Sequence, residues 1–128
     1  MELAQRYASG APARVHDIAA AESIPSGFLV QLLQPLKRAG IVESIRGAGG
    51  GYRLARSPQQ ITLADILLAL DSTVDADPQR SAGQSASADV LHAVWHDLAR
   101  RQYEHLSGIT LAELVARRDA QAQAMYYI

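Results

Sequence analysis

The sequence predicts a mainly α-helical protein with one small β-hairpin, namely a winged helix-turn-helix followed by a long dimerisation helix. Two short helices joined by a tight turn come directly before a glycine-rich hairpin with basic flanks, which is the element order of a winged helix-turn-helix. A long amphipathic helix follows, and such a helix outside a small domain usually needs a partner. The predicted segments are the winged helix-turn-helix at 1–57, a connecting helix at 58–71, a flexible linker at 72–88, and a dimerisation helix with a C-terminal tail at 89–128.

Charge is divided unevenly between the two halves of the chain. Residues 1–57 hold seven Lys or Arg against four Asp or Glu, whereas residues 58–128 hold five against nine. This division indicates a nucleic-acid face in the first half and a separate association or sensing face in the second, with an ordinary solvated surface as the alternative.

The sequence contains no cysteine. Its absence excludes disulfide bonds, thiolate zinc sites, cysteine-ligated iron–sulfur clusters and cysteine nucleophiles. No stretch is apolar enough for a signal peptide or a membrane-spanning helix, so the sequence predicts a cytoplasmic protein without a membrane partner.

The first two helices are short. Residues 1–8 have the pattern of a brief helix, and the Gly-Ala-Pro sequence at 10–12 breaks it. Residues 15–22 form the second predicted helix, because apolar side chains recur there at the helical period. The side chains expected to face the core are Val15, Ile18 and Ala19.

The third predicted helix begins near Pro25 or Ser26, since both residue types are favoured at a helix start. Pro35 lacks an N–H group and is expected to kink this helix or end it early, and Gly40 supplies the stop. The apolar stripe of this helix consists of Phe28, Leu29, Leu32, Leu33 and Leu36.

A change of period predicts a β-hairpin after the third helix. Residues 41–45 are rich in β-branched side chains, residues 52–54 alternate as a return strand, and the turn at 46–51 holds four glycines. Glycine allows a positive φ and a close approach to a phosphate backbone, and Arg46 is placed for phosphates or a narrow minor groove. A purely structural glycine hairpin is the alternative. A nucleotide-phosphate loop is excluded because the Lys-Ser/Thr of that motif is absent.

Two helix starts in the second half share one capping pattern. Thr62 with Asp65 predicts a capping box for a helix that ends near Leu70, and the same pattern recurs at 109–114, which we interpret as shared capping chemistry. Between them, residues 72–88 are rich in Ser, Ala and Asp and are expected to be disordered. The helix predicted at 89–106 carries the dimerisation stripe of Leu91, Val94, Trp95, Leu98 and Leu106.

The second helix of a helix-turn-helix projects side chains from its N-terminal part into the major groove of DNA. Gln31 carries an amide that can pair with adenine, and Val30 can contact a thymine methyl group. An ordinary exposed position is the alternative for Gln31. The complete set of predicted DNA-binding residues is Ser26, Gly27, Phe28, Val30, Gln31, Lys37, Arg38, Arg46, Gly47, Ala48, Gly49, Gly50, Gly51, Tyr52 and Arg53.

Four segments of the sequence resemble the Rrf2 family of bacterial regulators. They are 24–33 (IPSGFLVQLL), 36–42 (LKRAGIV), 46–55 (RGAGGGYRLA) and 61–66 (ITLADI), and the R-G-x-G-G-G-Y wing is a specific signature. The resemblance implies a homodimer with winged helix-turn-helix heads and a long crossing helix. Such a dimer binds a pseudo-palindromic operator in double-stranded DNA, usually as a repressor.

The sequence departs from that family pattern in three places. Many members hold an iron–sulfur cluster through three cysteines in the segment that matches 72–88, and this sequence has none, so no cofactor carries over. Members commonly have Glu where Val30 stands, which changes the expected base preference. Members also begin earlier, with a basic stretch ahead of the first helix, so Met1 is a candidate for a misassigned start, and the missing stretch would weaken DNA binding.

Without cysteines, the sequence resembles most the cysteine-metabolism repressor branch of this family, whose members end in a similar aromatic-Ile tail. The tail here is Met125-Tyr126-Tyr127-Ile128. In that branch the partner is cysteine synthase, whose active site accepts a C-terminal Ile, and a free carboxylate is a group that an anion pocket binds. The hypothesis is that this tail docks there. The alternative is a tail packed on its own dimer helix.

No catalytic constellation stands out in the sequence. His92 and His96 lie four residues apart with Asp89 one turn earlier, and this spacing can hold zinc or nickel, but a solvated helix surface is the favoured interpretation. A metal-dependent hydrolase motif requires a Glu directly after the first His, and no Glu follows His92. The sequence therefore predicts a DNA-binding regulator and not an enzyme, with a protein-interaction module that no longer binds DNA as the alternative.

Overall fold

A computed structural model of the protein describes residues 1–70 and 85–126. It has the predicted mainly helical fold with a two-stranded antiparallel hairpin. The predicted linker falls largely outside the described residues. In chain order the elements are α1 (Glu2–Gln5), a 3-10 turn (Tyr7–Ser9), α2 (Val15–Glu22), α3 (Ser26–Arg38), β1 (Val42–Ile45), β2 (Gly51–Leu54), α4 (Leu63–Leu70), α5 (Ala86–Ser107) and α6 (Leu111–Tyr126).

One apolar core joins the helix-turn-helix, the hairpin and the start of α6. Ile61 is fully buried, and Leu111 packs in the same cluster as Ile18 and Leu33. Burying one such aliphatic side chain contributes about 1.5–3 kcal/mol to folding. We call residues 1–70 the head. The core of the head therefore extends past residue 57, where the sequence pattern placed the end of the DNA-binding segment. The other buried members are Ala13, Ala19, Leu29, Ile41, Val42, Leu54 and Ala69.

The connection between α2 and α3 is a tight left-handed turn. Ser23 ends α2 with φ 54° and ψ 43°, an αL cap that lets the chain change direction within a few residues. Leu29 is buried on the inner side of α3, whereas Phe28 is 53% exposed. Phe28, which belongs to the apolar stripe and to the predicted DNA-binding residues, is therefore not part of the core.

Pro35 does not end α3 early, which excludes one of the two effects predicted for it. The helix continues to Arg38, and the N–H of Ala39 donates to the carbonyl of Pro35 (3.0 Å). A proline removes one hydrogen bond from the turn before it, and burial of Leu33 on the same helix offsets that loss. Gly40 ends the helix as predicted, with φ 75°.

Both predicted capping positions are used. The Thr62 hydroxyl accepts the N–H of Asp65 (3.1 Å), and the Asp65 carboxylate accepts the N–H of Thr62 (3.0 Å). These two bonds form the reciprocal capping box of α4. At the start of α6, the Thr110 hydroxyl accepts the N–H of Glu113 (3.2 Å).

The two capped helix starts also pair with each other. Thr62 and Thr110 oppose one another in an antiparallel bridge, and the N–H of Leu111 donates to the carbonyl of Ile61 (2.8 Å). This bridge ties α6 to the head. α6 also contacts α1, and α5 contacts α4.

α5 begins at Ala86, three residues before its predicted start. The Ser85 side chain accepts the N–H of Ala88 (3.4 Å) and caps the helix, so residues 86–88 of the predicted linker are helical. Most of the predicted dimerisation stripe lies exposed on α5, including Trp95 at 59%, whereas Leu106 is half-buried.

Candidate nucleic-acid interface

The exposed side of α3 carries the predicted base-reading side chains. Val30 and Gln31 are exposed, whereas Leu29 and Leu33 hold the opposite side of the helix in the core. One side of α3 is therefore fixed to the head and the other is free to contact a duplex. The further predicted contact residues exposed on α3 are Ser26, Gly27, Phe28, Lys37 and Arg38.

We call the hairpin of β1 and β2 the wing. The tip of the wing, between the two strands, is built on glycines with different roles. Ile45 pairs with Gly51 at the outer end of the two strands. Gly47 has φ 112°, a conformation that side-chain-bearing residues rarely adopt. A Cβ on Gly50 would overlap the carbonyl of Ile45, whereas a Cβ on Gly49 would meet no atom within 4 Å. The turn therefore requires glycine at Gly47 and Gly50, and the fold itself does not require it at Gly49.

The base of the wing is hydrogen-bonded to the body of the head. The N–H of Ala13 donates to the carbonyl of Tyr52 (2.8 Å), and the N–H of Tyr52 donates to the carbonyl of Ala13 (2.7 Å). A Cβ on Gly51 would overlap the carbonyl of Ala13. Glycine at this position lets the two backbones meet, so the orientation of the wing depends on it.

Arg14 is a residue of this surface that the sequence analysis missed. Its guanidinium donates to the carbonyl of Ala48 at the tip of the wing (2.6 Å), and its side chain is exposed. The contact joins residues that lie 34 positions apart in the chain. It follows from the pairing of Ala13 with Tyr52, for which neither segment carries a local sequence signal.

Most cations of the head have no carboxylate partner among the described residues. Arg53 is an exception among the predicted contacts, since its guanidinium pairs with Glu43 (2.5 Å) and donates to the carbonyl of Gly10 (3.3 Å). The structure thus places Arg53 in an internal ion pair at the base of the wing. Within residues 1–70 and 85–126, the cations of the head that form no ion pair are Arg14, Lys37, Arg38, Arg46 and Arg56.

The arginines of the C-terminal helices are neutralised locally. Arg100 and Arg101 both pair with Asp97 on α5, and Arg117 and Arg118 pair with acidic side chains on α6. The hydrogen bond from Arg100 is the largest cause that lowers the pKa of the Asp97 carboxyl below its ordinary value. Positive potential is therefore concentrated on the head and not on α5 or α6.

The region around the start of α2 contacts both the wing and α3. Arg14 reaches the wing tip and directly precedes α2. His16 of α2 and Ser26 of α3 line one shallow depression at the helix-turn-helix connection. The start of α2 thus lies beside the wing tip, and α2 lies beside the start of α3.

Comparison with known proteins identifies the family. The Rrf2 sequence profile, described as an iron-dependent transcriptional regulator, matches residues 1–117. The chain belongs to the Rrf2 family. It is 35% identical over 117 residues to the HTH-type transcriptional regulator IscR of Aliivibrio salmonicida, an alignment that covers 90% of this chain and 71% of that protein.

Two solved structures of Rrf2-like regulators show the same fold. The structure of T. potens IscR superposes with a TM-score of 0.71 at 35% identity and covers 98% of this chain and 86% of that one. CymR, the global cysteine regulator of B. subtilis, superposes with a TM-score of 0.66 at 31% identity and covers 91% and 86%. The chain is thus a winged-helix transcriptional regulator of a DNA-binding family and not an enzyme, as the sequence predicts.

The residues of this chain do not fit a cysteine-ligated iron centre, although the family description refers to iron. The whole sequence lacks cysteine, so no thiolate is available for a cluster. Among residues 1–70 and 85–126, no group of three or more His, Asp or Glu side chains is placed to hold a metal ion. His92 and His96 are exposed on α5.

One further prediction concerns the C-terminal tail. Met125 and Tyr126 lie exposed at the end of α6, whereas Tyr127 and Ile128 fall outside the described residues, so docking of the tail stays a prediction.

In the part of the chain that the structure describes, every helix is too short or too polar to cross a membrane.

Proposed function

We propose that this Rrf2-family regulator represses transcription by binding a pseudo-palindromic operator as a homodimer, without an iron–sulfur cluster. The observation that supports the proposal is the contact of Arg14, which directly precedes α2, with the wing tip at Ala48, together with the packing of α2 against α3. Arg14 and four other cations of the head have no carboxylate partner among the described residues. Phosphate contacts supply much of the affinity for DNA, and unneutralised Arg and Lys side chains provide them.

Base recognition is assigned to α3. Its N-terminal part would enter the major groove, where the Gln31 amide can accept from and donate to one adenine. Val30 adds an apolar contact that favours the methyl group of thymine. The wing would then follow the adjacent backbone, with Arg46 at its base and the side-chain-free Gly49 at its tip.

The exposed stripe of α5 supports the homodimer. The apolar side chains of Leu91, Val94, Trp95 and Leu98 are all more than half exposed in the single chain, and a contiguous apolar stripe of this kind marks an interaction site. A second copy of α5 is the simplest cover for it. To reach successive major grooves of one operator, the two α3 helices of such a dimer would lie about 34–36 Å apart, one turn of DNA.

The signal that controls binding must act without cysteine ligands. The similarity to CymR, a global cysteine regulator, supports a role in the regulation of cysteine. The proposed partner of the C-terminal tail is cysteine synthase, with Ile128 as the docking residue, and the described tail residues Met125 and Tyr126 are exposed. A pull-down with cysteine synthase tests the docking, since equal binding by the full chain and by a chain without Ile128 would exclude it.

Fluorescence anisotropy with labelled DNA tests the proposed function. The probe is a duplex from the region upstream of the protein's own gene, and the control is a scrambled duplex of the same length and base composition. We expect the first duplex to bind at least about 10³-fold more tightly at physiological salt, the lower limit for specific recognition. Equal, weak binding to both would favour the protein-interaction module over the repressor.

A further inference from the structure

Arg14 lies where α2 meets the wing. It directly precedes α2, the first helix of the helix-turn-helix, and that helix crosses the DNA backbone in complexes of this kind. Its neighbour Ala13 is hydrogen-bonded to Tyr52 in both directions. The backbone pairing therefore fixes Arg14 beside the wing.

The guanidinium of Arg14 contacts the wing tip and still has donors to spare. One nitrogen donates to the carbonyl of Ala48 (2.6 Å), whereas a guanidinium carries five N–H donors in a planar fork. Among the described residues no carboxylate pairs with Arg14, in contrast to Arg53 of the same surface. The remaining donors and the full positive charge are available to an anion, and a fork of this geometry suits a phosphate.

The wing tip needs such a contact because its own sequence is flexible. Glycines lose more conformational entropy on ordering than any other residue, and Gly49 makes no contact that a side chain would disturb. Besides the turn bond between Gly50 and Gly47, the bond from Arg14 to Ala48 ties the tip to the rest of the head.

We infer that Arg14 is a DNA-contacting and wing-positioning residue, whose guanidinium bridges the carbonyl of Ala48 and a backbone phosphate of the bound duplex. This inference rests on the proposed function. It adds a contact that the recognition helix and the wing do not themselves contain. One donor orients the wing before DNA arrives, and the others hold the phosphate that lies between the wing and the start of α2.

The test compares three variants of the full chain for binding to the upstream duplex across a range of salt concentrations. The variants are Arg14→Ala, Arg14→Lys and the control Arg117→Ala, which also removes one positive charge but lies on α6 in an ion pair with Glu113. Each lost phosphate contact lowers the slope of log affinity against log salt by about 0.9. For a dimer, Arg14→Ala should therefore flatten the slope by about 2 and weaken binding at least about tenfold.

Two readouts separate a phosphate contact from a structural role. Arg14→Lys should recover most of the salt slope because it restores the charge, whereas Arg117→Ala should leave slope and affinity unchanged. In the free protein, hydrogen exchange at the amide of Gly50, which donates to the carbonyl of Gly47, should accelerate in Arg14→Ala, with no change in the core.

Two results would overturn the inference. Unchanged affinity and slope in Arg14→Ala would remove Arg14 from the interface, and weaker binding with an unchanged slope would show a structural role only. Failure of the unmodified protein and of Arg117→Ala to bind any duplex specifically would instead refute the proposed function. The outcomes for the inference and for the function are thus distinct.

Discussion

Glycine occurs at different positions of the wing for different physical reasons. Gly51 sits where a Cβ would overlap the carbonyl of Ala13, and its φ is 151°. Gly49 has open space around its Cα and an ordinary φ. The run of glycines in the sequence correctly indicated a turn, but the sequence could not show which glycines serve the fold, because the partner of Gly51 comes from a distant segment.

Alanine at Gly51 should therefore affect the stability of the protein, whereas alanine at Gly49 should affect only its binding to DNA. Gly51→Ala should destabilise the protein by about 2 kcal/mol, within the range for a side chain forced into filled space, and should displace the wing. Gly49→Ala should leave the thermal unfolding midpoint unchanged but weaken binding to DNA if the wing tip approaches the backbone closely. Thermal denaturation and anisotropy measure the two effects, and equal losses of stability would contradict the assignment.

Gln31 and Arg46 should also separate by the kind of contact they make. Gln31→Ala should cost about 1–3 kcal/mol on the preferred duplex and relax the preference at one base pair per half-site, since it removes direct base readout. Arg46→Ala should weaken binding to all sequences alike, because a phosphate contact carries no base information. Affinities measured on a set of single-base-pair variants check this contrast. A uniform loss for Gln31→Ala would show that Gln31 is an ordinary exposed residue.

At the scale of elements, most helices and both strands could be predicted from the sequence because their signals are local. The periodicity of α2, the capping box of α4 and the β-branched run of β1 each involve a few neighbouring residues. The continuation of α3 past Pro35 could not be predicted, since it depends on the burial of Leu33 in a core built from distant segments. The contact of Arg14 with the wing escaped prediction for the same reason.

Thr62 makes two kinds of contact: its backbone pairs with Thr110, and its hydroxyl caps α4. The hydroxyl can be tested separately from the backbone pairing. Thr62→Ala removes a hydroxyl that accepts the N–H of Asp65, a change that typically costs about 1 kcal/mol. Thr62→Ser keeps the acceptor and should retain most of the stability. Chemical denaturation measures both free energies of unfolding. If the two variants lost stability equally, the hydroxyl would not be the stabilising group.

At the scale of the whole molecule, charge and apolar surface are segregated. The head holds the cations without carboxylate partners in the described part of the chain, and α5 holds the exposed apolar stripe with its arginines already paired to acidic side chains. A surface that repels its own copy would oppose dimerisation, so pairing the arginines of α5 favours association there. The charge imbalance between the two halves of the sequence indicated this division, but the sequence could not show which cations are paired.

Trp95→Glu tests whether this arrangement works as a dimer. Because Trp95 is 59% exposed in the single chain, the substitution should preserve the helical circular dichroism signal while a buried charge at the interface prevents association. Sedimentation should then show a monomer, and the salt slope of DNA binding should fall to about half, since each protomer carries half of the phosphate contacts. Ala93→Glu, on the opposite side of α5 by the helical period, is the control and should remain dimeric. A Trp95→Glu protein that sediments as a dimer and keeps the full slope would place the dimer interface elsewhere.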